Sequence, residues 1–146
     1  MDTKGVLSII LKMGDKMEEE KEFLSDLDNA IADGDHGINM ARGFSAVSDK
    51  LKGFEDKDIG TVLKTVGMTI VSAVAGSAGP LYGTMFMKSG MVMNGKYDID
   101  ISDFFVCMQN AVDGVMARGK AVYGEKTMLD SMIPALDAMK MANEQG

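Results

Sequence analysis

Apolar residues recur at three- and four-residue steps along nearly the whole chain, the spacing of one face of an α-helix. In the first segment Val6, Ile9, Ile10, Met13 and Met17 form such a stripe, with Lys12, Lys16 and Glu18 to Glu20 falling elsewhere. A short second helix is predicted over about Glu22 to Ala30, carrying Phe23, Leu24 and Leu27, with Ile31 beyond it. Ala32 to Gly37 interrupts the pattern, which resumes at Ile38 and runs through Phe44, Val47 and Leu51. A further helix spans about Ile59 to Ala75, with Val62, Leu63, Val66, Ile70 and Val71 on its apolar face. Leu81 to Met93 reads as helical, as does Asp103 to Arg118 with Phe104, Met108, Ala111, Val112 and Val115. The last helix, about Thr127 to Ala142, places Met128, Met132, Leu136 and Met139 on one stripe. Alternating β-branched runs are absent, and Asn94-Gly95 has no convincing strand on both sides. The pattern predicts an all-α fold.

Composition narrows this picture. The 146 residues suit one domain, residues 1–146, with a single core. The 22 acidic and 15 basic side chains give a formal charge of −7, which argues against a nucleic-acid partner. An anionic ligand would therefore need bound cations more than Lys/Arg clusters. A single cysteine, Cys107, excludes an intrachain disulfide framework, and the start lacks a basic signal region, so a cytoplasmic setting is expected. Thr65 to Met87 is uncharged and long enough for a bilayer, but Gly79-Pro80 is expected to break it, giving a buried helix that runs into a glycine loop. The fifteen methionines fall mostly on helix stripes and read as core, with a Met-rich peptide-binding surface as the minor alternative.

The interruption after the second helix holds the chemistry. Asp28 stands near a helix end, and Asp33 and Asp35 follow on the loop Ala32-Asp33-Gly34-Asp35-His36-Gly37. Residues two apart in an extended loop project alike, so Asp33 and Asp35 can converge, while Gly34 and Gly37 permit positive φ. Three close carboxylates repel unless a cation lies between them, and hard oxygen donors suit Mg²⁺ or Ca²⁺. An EF-hand is excluded, because Ile38 takes the glycine place and Phe44 the place of the bidentate Glu. Capping of the helix that begins near Ile38 would explain Asp33 and Asp35 equally well. Spacing alone leaves both readings open. His36, the only histidine, reads from its position as an exposed turn residue, with a donor role to a phosphate as the alternative.

Two other segments carry weaker signals. Gly76-Ser77-Ala78-Gly79-Pro80-Leu81-Tyr82-Gly83-Thr84 offers glycines where backbone can approach a ligand, and Pro80 suits the first position of the next helix. Close helix packing through small residues explains it as well. Gly114 to Ala121 approaches a phosphate-binding P-loop, but Ala121 replaces the required Ser/Thr and no strand precedes it. Gly119, Lys120 and Glu125 to Thr127 read instead as a turn before the last helix.

Taken together, three segments resemble the ADP-binding subunit of phosphotransferase-system-dependent dihydroxyacetone kinases. They are Leu27-Asp28 with Ala32 to Asn39 and Arg42-Gly43-Phe44; Gly79 to Thr84; and Arg118 to Ala121 with Gly124 to Asp130. The likeness runs over essentially the whole chain. His36 after the aspartates separates it from fatty-acid-kinase nucleotide domains, and a start at the first helix points to a separate subunit. The resemblance implies an antiparallel helical barrel of the L-domain type with the nucleotide at one end. It assigns two Mg²⁺ ions to Asp28, Asp33 and Asp35, and ADP or ATP contacts to His36, Gly37, Ile38, Asn39, Ser77, Ala78, Gly119 and Met128. It also implies two partners: a phosphohistidine-carrying subunit that rephosphorylates the bound ADP, and a kinase subunit that holds dihydroxyacetone.

The sequence departs from the family in places. Ala78 stands where a Ser is frequent, and Glu125 where Asp is common. The further helices the family implies, with an Arg and an Asp-Pro-Gly segment closing over the nucleotide, do not follow within the 146 residues. The expectation is a domain incomplete at its C-terminus, or a shortened relative that acts as a non-catalytic docking subunit.

Overall fold

The computed structural model describes residues 1–145, and among these the chain forms seven helices and no strand beyond an isolated bridge between Asp2 and Asp98. They are α1 (Thr3–Glu19), α2 (Lys21–Asn29), α3 (His36–Lys50), α4 (Ile59–Ala73), α5 (Ala78–Val92), α6 (Ile101–Gly119) and α7 (Leu129–Glu144). The all-α expectation holds. No helix among the described residues is long and apolar enough to cross a membrane.

Acidic caps set several helix starts. Asp2 accepts the Gly5 N–H, Asp58 accepts the Thr61 N–H, and Asp100 and Asp103 form a reciprocal capping box at α6. The Asp58 carboxyl also accepts from the Thr61 hydroxyl and the Gly95 N–H, which hold it below the usual carboxylate range.

Consecutive helices pack as neighbours, α3 on α4, α4 on α5, α5 on α6 and α6 on α7, while α1 and α2 lie against α3. The α4–α5 pair is the tightest. A Cβ on Gly67 would come within 2.6 Å of the Gly83 carbonyl oxygen, and one on Gly83 within 2.8 Å of the Gly67 oxygen, so only glycine allows this backbone contact. The main core gathers Val6 and Ile10 of α1, Met40, Phe44 and Val47 of α3, and Ile59, Val62, Val66 and Ile70 of α4. A second cluster joins Val112 and Val115 of α6 to Leu129 and Leu136 of α7. Between α1, α4, α5 and α6 lies an apolar cavity of about 710 Å³, bordered by Ile9, Met13, Phe86, Phe104 and Met108. Burial pushes up the pKa of the Cys107 thiol on its wall.

Three details differ from the sequence expectation. The break in the uncharged stretch falls at Val74–Ser77, not at Gly79-Pro80. α5 starts at Ala78, so Pro80 is its third residue, still within the first turn where a missing N–H costs no helical bond. The stripe on α2 is not core: Phe23, Leu27 and Ile31 are exposed, and the buried residue of that helix is Ser25. On α7 the inward stripe is Leu129, Met132, Ile133 and Leu136, which leaves Met139 outside. Met40 and Met93 are fully buried, whereas Met68, Met91 and Met141 are exposed.

Candidate metal centre

The loop between α2 and α3 is organised by one carboxylate. Oδ2 of Asp28, in the last turn of α2, accepts the N–H groups of Gly34, Asp35 and His36 at 3.0, 3.1 and 3.3 Å. It thereby takes the role of capping the start of α3, where free N–H groups and the helix dipole favour an anion. Ser25 Oγ adds a further acceptor, receiving the Ile38 N–H at 3.3 Å. Asp35 occupies the N-cap position but makes no side-chain cap, and the Asp33 carboxylate forms no hydrogen bond among the described residues.

Capping is therefore the work of Asp28 and Ser25, and the Asp33 and Asp35 carboxylates are left free. One carboxylate oxygen from each of Asp28, Asp33 and Asp35 lies within 4.8 Å of the other two. Asp28 is half-buried, while the other two are exposed. No Lys, Arg or His nitrogen stands within ion-pair distance of the three among the described residues. Three unneutralised carboxylates at this spacing form a donor set suited to a hard divalent cation.

Their convergence comes from a turn, not from an extended loop. Gly34 has φ +76°, while Asp35 has φ −103° and ψ −2°. Gly37 serves a different purpose from the one its position suggested. It lies in α3, where an added Cβ would sit 1.8 Å from the Lys21 carbonyl oxygen, so it is required by close approach and not by φ. α3 also begins at His36, two residues earlier than the periodicity placed it, which leaves His36 half-buried at the helix start instead of exposed in a turn. Ile38 is exposed and Asn39 buried in the same first turn.

The end of α4, which leads into the glycine loop, packs on α3 at Gly43 and Arg42. Ser77 is the N-cap of α5, with its hydroxyl making no cap bond, and Ala78 is the first residue of that helix. Arg42 of α3 donates through Nε to the Ala73 carbonyl at 3.3 Å and through Nη2 to Asn39 Oδ1 at 2.7 Å, linking the two segments. Sequence reasoning gave Arg42 no role, and the spacing of Asn39 and Arg42, one helical turn apart, was the available signal. Gly119 and Met128 belong to the α5, α6 and α7 side of the molecule, and no contact joins them to the aspartates among the described residues. Gly119 ends α6 beside Leu81 of α5, and Met128 is the N-cap of α7, packed on the second core cluster.

The segment joining α6 to α7 has its own anchor. Asp130 accepts the N–H groups of Gly124 at 2.7 Å and Thr127 at 2.8 Å, and these bonds, the one from Thr127 foremost, hold its carboxyl below the usual range. Lys120 and Lys126 adopt left-handed φ values of 53° and 59°, which are uncommon for residues other than glycine.

A family profile described as the DAK2 domain matches residues 30–146, beginning just after Asp28. The chain is 39% identical over 140 residues to the PEP-dependent dihydroxyacetone kinase, ADP-binding subunit DhaL, of Escherichia coli K12, covering 96% of this chain and 67% of that protein. It is 44% identical over 138 residues to the corresponding subunit of dihydroxyacetone kinase 1 of Listeria innocua, covering 94% and 69%. For the subunit of kinase 2 of the same organism the identity is 37% over 142 residues, covering 96% and 66%. The chain thus spans about two thirds of the length of these relatives. By the profile match and these identities, the chain belongs to the DAK2 domain family and is related within it to the ADP-binding subunits of PEP-dependent dihydroxyacetone kinases.

Proposed function

We propose that this chain, residues 1–146, is an L-type nucleotide-binding domain of a dihydroxyacetone kinase of the phosphotransferase-system-dependent type. Asp28, Asp33 and Asp35 would hold two Mg²⁺ ions, and His36 to Asn39, Ser77 and Ala78 would meet the phosphates of ADP or ATP. Gly119 and Met128 would lie toward the adenosine. The observation that carries the reading is the approach of three carboxylate oxygens to within 4.8 Å of one another, with no cationic side chain to neutralise them. Bound magnesium would supply neutralisation of phosphate charge and stabilisation of the charge that develops in phosphoryl transfer.

The residues of the chain itself bind and orient. Asp28 orders the start of α3 by accepting the N–H groups of Gly34, Asp35 and His36, which sets Asp33, Asp35 and His36 beside one another. No nucleophile is needed from this chain. The phosphoryl donor would be a phosphohistidine on a second subunit, and the acceptor would be dihydroxyacetone on a third. A partner surface is at hand: Phe23 and Leu27, one turn apart on α2, lie exposed beside the aspartate loop together with Ile31 and Ile38.

Calorimetric titration with ADP, with and without Mg²⁺, tests the reading on the unmodified chain and on Asp33→Ala/Asp35→Ala. Metal-dependent binding that disappears in the double variant is the expected result. A chain that binds no nucleotide under either condition would remove it. Addition of the dihydroxyacetone-holding subunit and a phosphorylated donor then reads phosphoryl transfer directly.

A further inference from the structure

Arg42 joins the helix that starts at the aspartate loop to the end of α4, four residues before Ser77. Its two hydrogen bonds run to different elements: Nη2 to the Asn39 side chain in the first turn of α3, and Nε to the carbonyl of Ala73, the last residue of α4. The Ala73 carbonyl belongs to the last turn of α4, where carbonyls lack helical partners and the dipole favours a cation. The next residue, Gly43, lets the C-cap of α4 press on α3, since a Cβ there would lie 2.3 Å from Val74 Cγ2. No carboxylate lies within ion-pair distance of Arg42 among the described residues, so its charge is not cancelled locally.

The contact with Asn39 has a directional consequence. A guanidinium carries donors only, so the Asn39 atom facing it must be the carbonyl oxygen. The amide NH₂ is thereby turned elsewhere. Asn39 is 7% exposed, its Nδ2 bonds to no protein atom, and no buried side-chain nitrogen or oxygen lacks a partner among the described residues. That NH₂ therefore keeps contact with solvent, at the helix start that carries the aspartate centre. An Asn free to rotate would present its oxygen to an anion as readily as its NH₂.

We propose that Arg42 is a positioning residue. It locks the Asn39 amide so that the NH₂ donates to a phosphate oxygen of the nucleotide, and it ties the end of α4, from which the glycine loop leads, to the same helix. This rests on the nucleotide reading above and adds to it a specific donor and the residue that aims it.

The test is a double-mutant cycle on the full chain, titrated with Mg·ADP: wild type, Arg42→Gln, Asn39→Ala and the double variant, with Arg42→Lys in parallel. Loss of a hydrogen bond aided by charge predicts about tenfold weaker binding for Arg42→Gln. Arg42→Lys, which keeps the charge but not the fork, recovers little of it. In the Asn39→Ala background the Arg42 change costs less than about threefold, because its target is gone. Mn²⁺ binding without nucleotide stays at the wild-type level, which general damage to the fold would not allow. If circular dichroism shows Arg42→Gln unfolded, Arg42→Lys carries the cycle. Wild-type affinity in the variant that carries the cycle, or full additivity with Asn39→Ala, overturns the role of Arg42 alone. A wild-type chain that does not bind Mg·ADP overturns the nucleotide reading and this inference with it.

Discussion

Asp28 has two duties that a single substitution can separate. Its Oδ2 accepts three N–H groups, and its charge belongs to the aspartate cluster. Asp28→Asn keeps an oxygen acceptor and removes the charge, so the melting temperature is expected to stay within a few degrees of wild type while metal-dependent ADP binding is lost. Asp28→Ala is expected to lose both, with about 1–3 kcal/mol of stability removed by leaving several amides unpartnered. Thermal melts read beside ADP titrations separate the two; equal destabilisation by both variants would contradict the division. At Gly37 the constraint is space. Gly37→Ala forces a Cβ onto the Lys21 carbonyl and is expected to cost about 1–3 kcal/mol in urea denaturation, with the α2–α3 contact giving way. The aspartates and their glycines were legible in the sequence as a cluster, but not which of them would cap. Spacing cannot tell that Asp28, six residues before Gly34, folds back over the loop, or that Gly37 faces Lys21 and not a turn.

Helix existence was readable from periodicity, whereas helix boundaries depended on caps. Asp58 three residues before Thr61, and the Asp100/Asp103 pair, are signals present in the chain that fix the starts of α4 and α6. Asp58→Ala is expected to lower stability by about 1–2 kcal/mol, measured by denaturant midpoint; no change would mean that α4 is held by packing alone. Periodicity also names an apolar face without saying what covers it. On α2 nothing among the described residues covers Phe23 and Leu27, so a stripe that reads as core stands in solvent. On α7 the face rotated toward Leu129 and Ile133 because the helix packs on Val112 and Val115 of α6. Pro134 lies inside α7, exposed, and deprives the Asp130 carbonyl of its helical donor. Pro134→Ala is expected to stabilise the protein by about 1–3 kcal/mol, seen as a higher melting temperature, and a loss of stability would show that the break is needed for packing.

For the molecule as a whole, acid is the informative stress. The carboxyls of Asp58, Asp103 and Asp130 are all held below their usual range, by the Thr61 hydroxyl, by Lys96 and by backbone amides respectively. A carboxyl whose pKa is lower folded than unfolded contributes stability that is present above its unfolded pKa. That contribution is lost as pH falls toward its folded pKa. Denaturant titrations are therefore expected to give equal stability at pH 6 and 7 and a decline below about pH 4, with a smaller decline in Asp58→Asn. The net charge of −7 has a related consequence, since a neutralising cation at the aspartate cluster should raise stability more than the same ionic strength of a monovalent salt.

The central claim is that Asp28, Asp33 and Asp35 form a divalent-cation centre that serves a nucleotide. Electron paramagnetic resonance of Mn²⁺, titrated into the chain in the presence of ADP, tests it most directly, because protein-bound metal is removed from the free-ion signal. The account predicts two bound Mn²⁺ per chain at saturating ADP, reduced in Asp33→Ala/Asp35→Ala to what ADP alone binds in solution. Equal Mn²⁺ uptake by wild type and the double variant would contradict it.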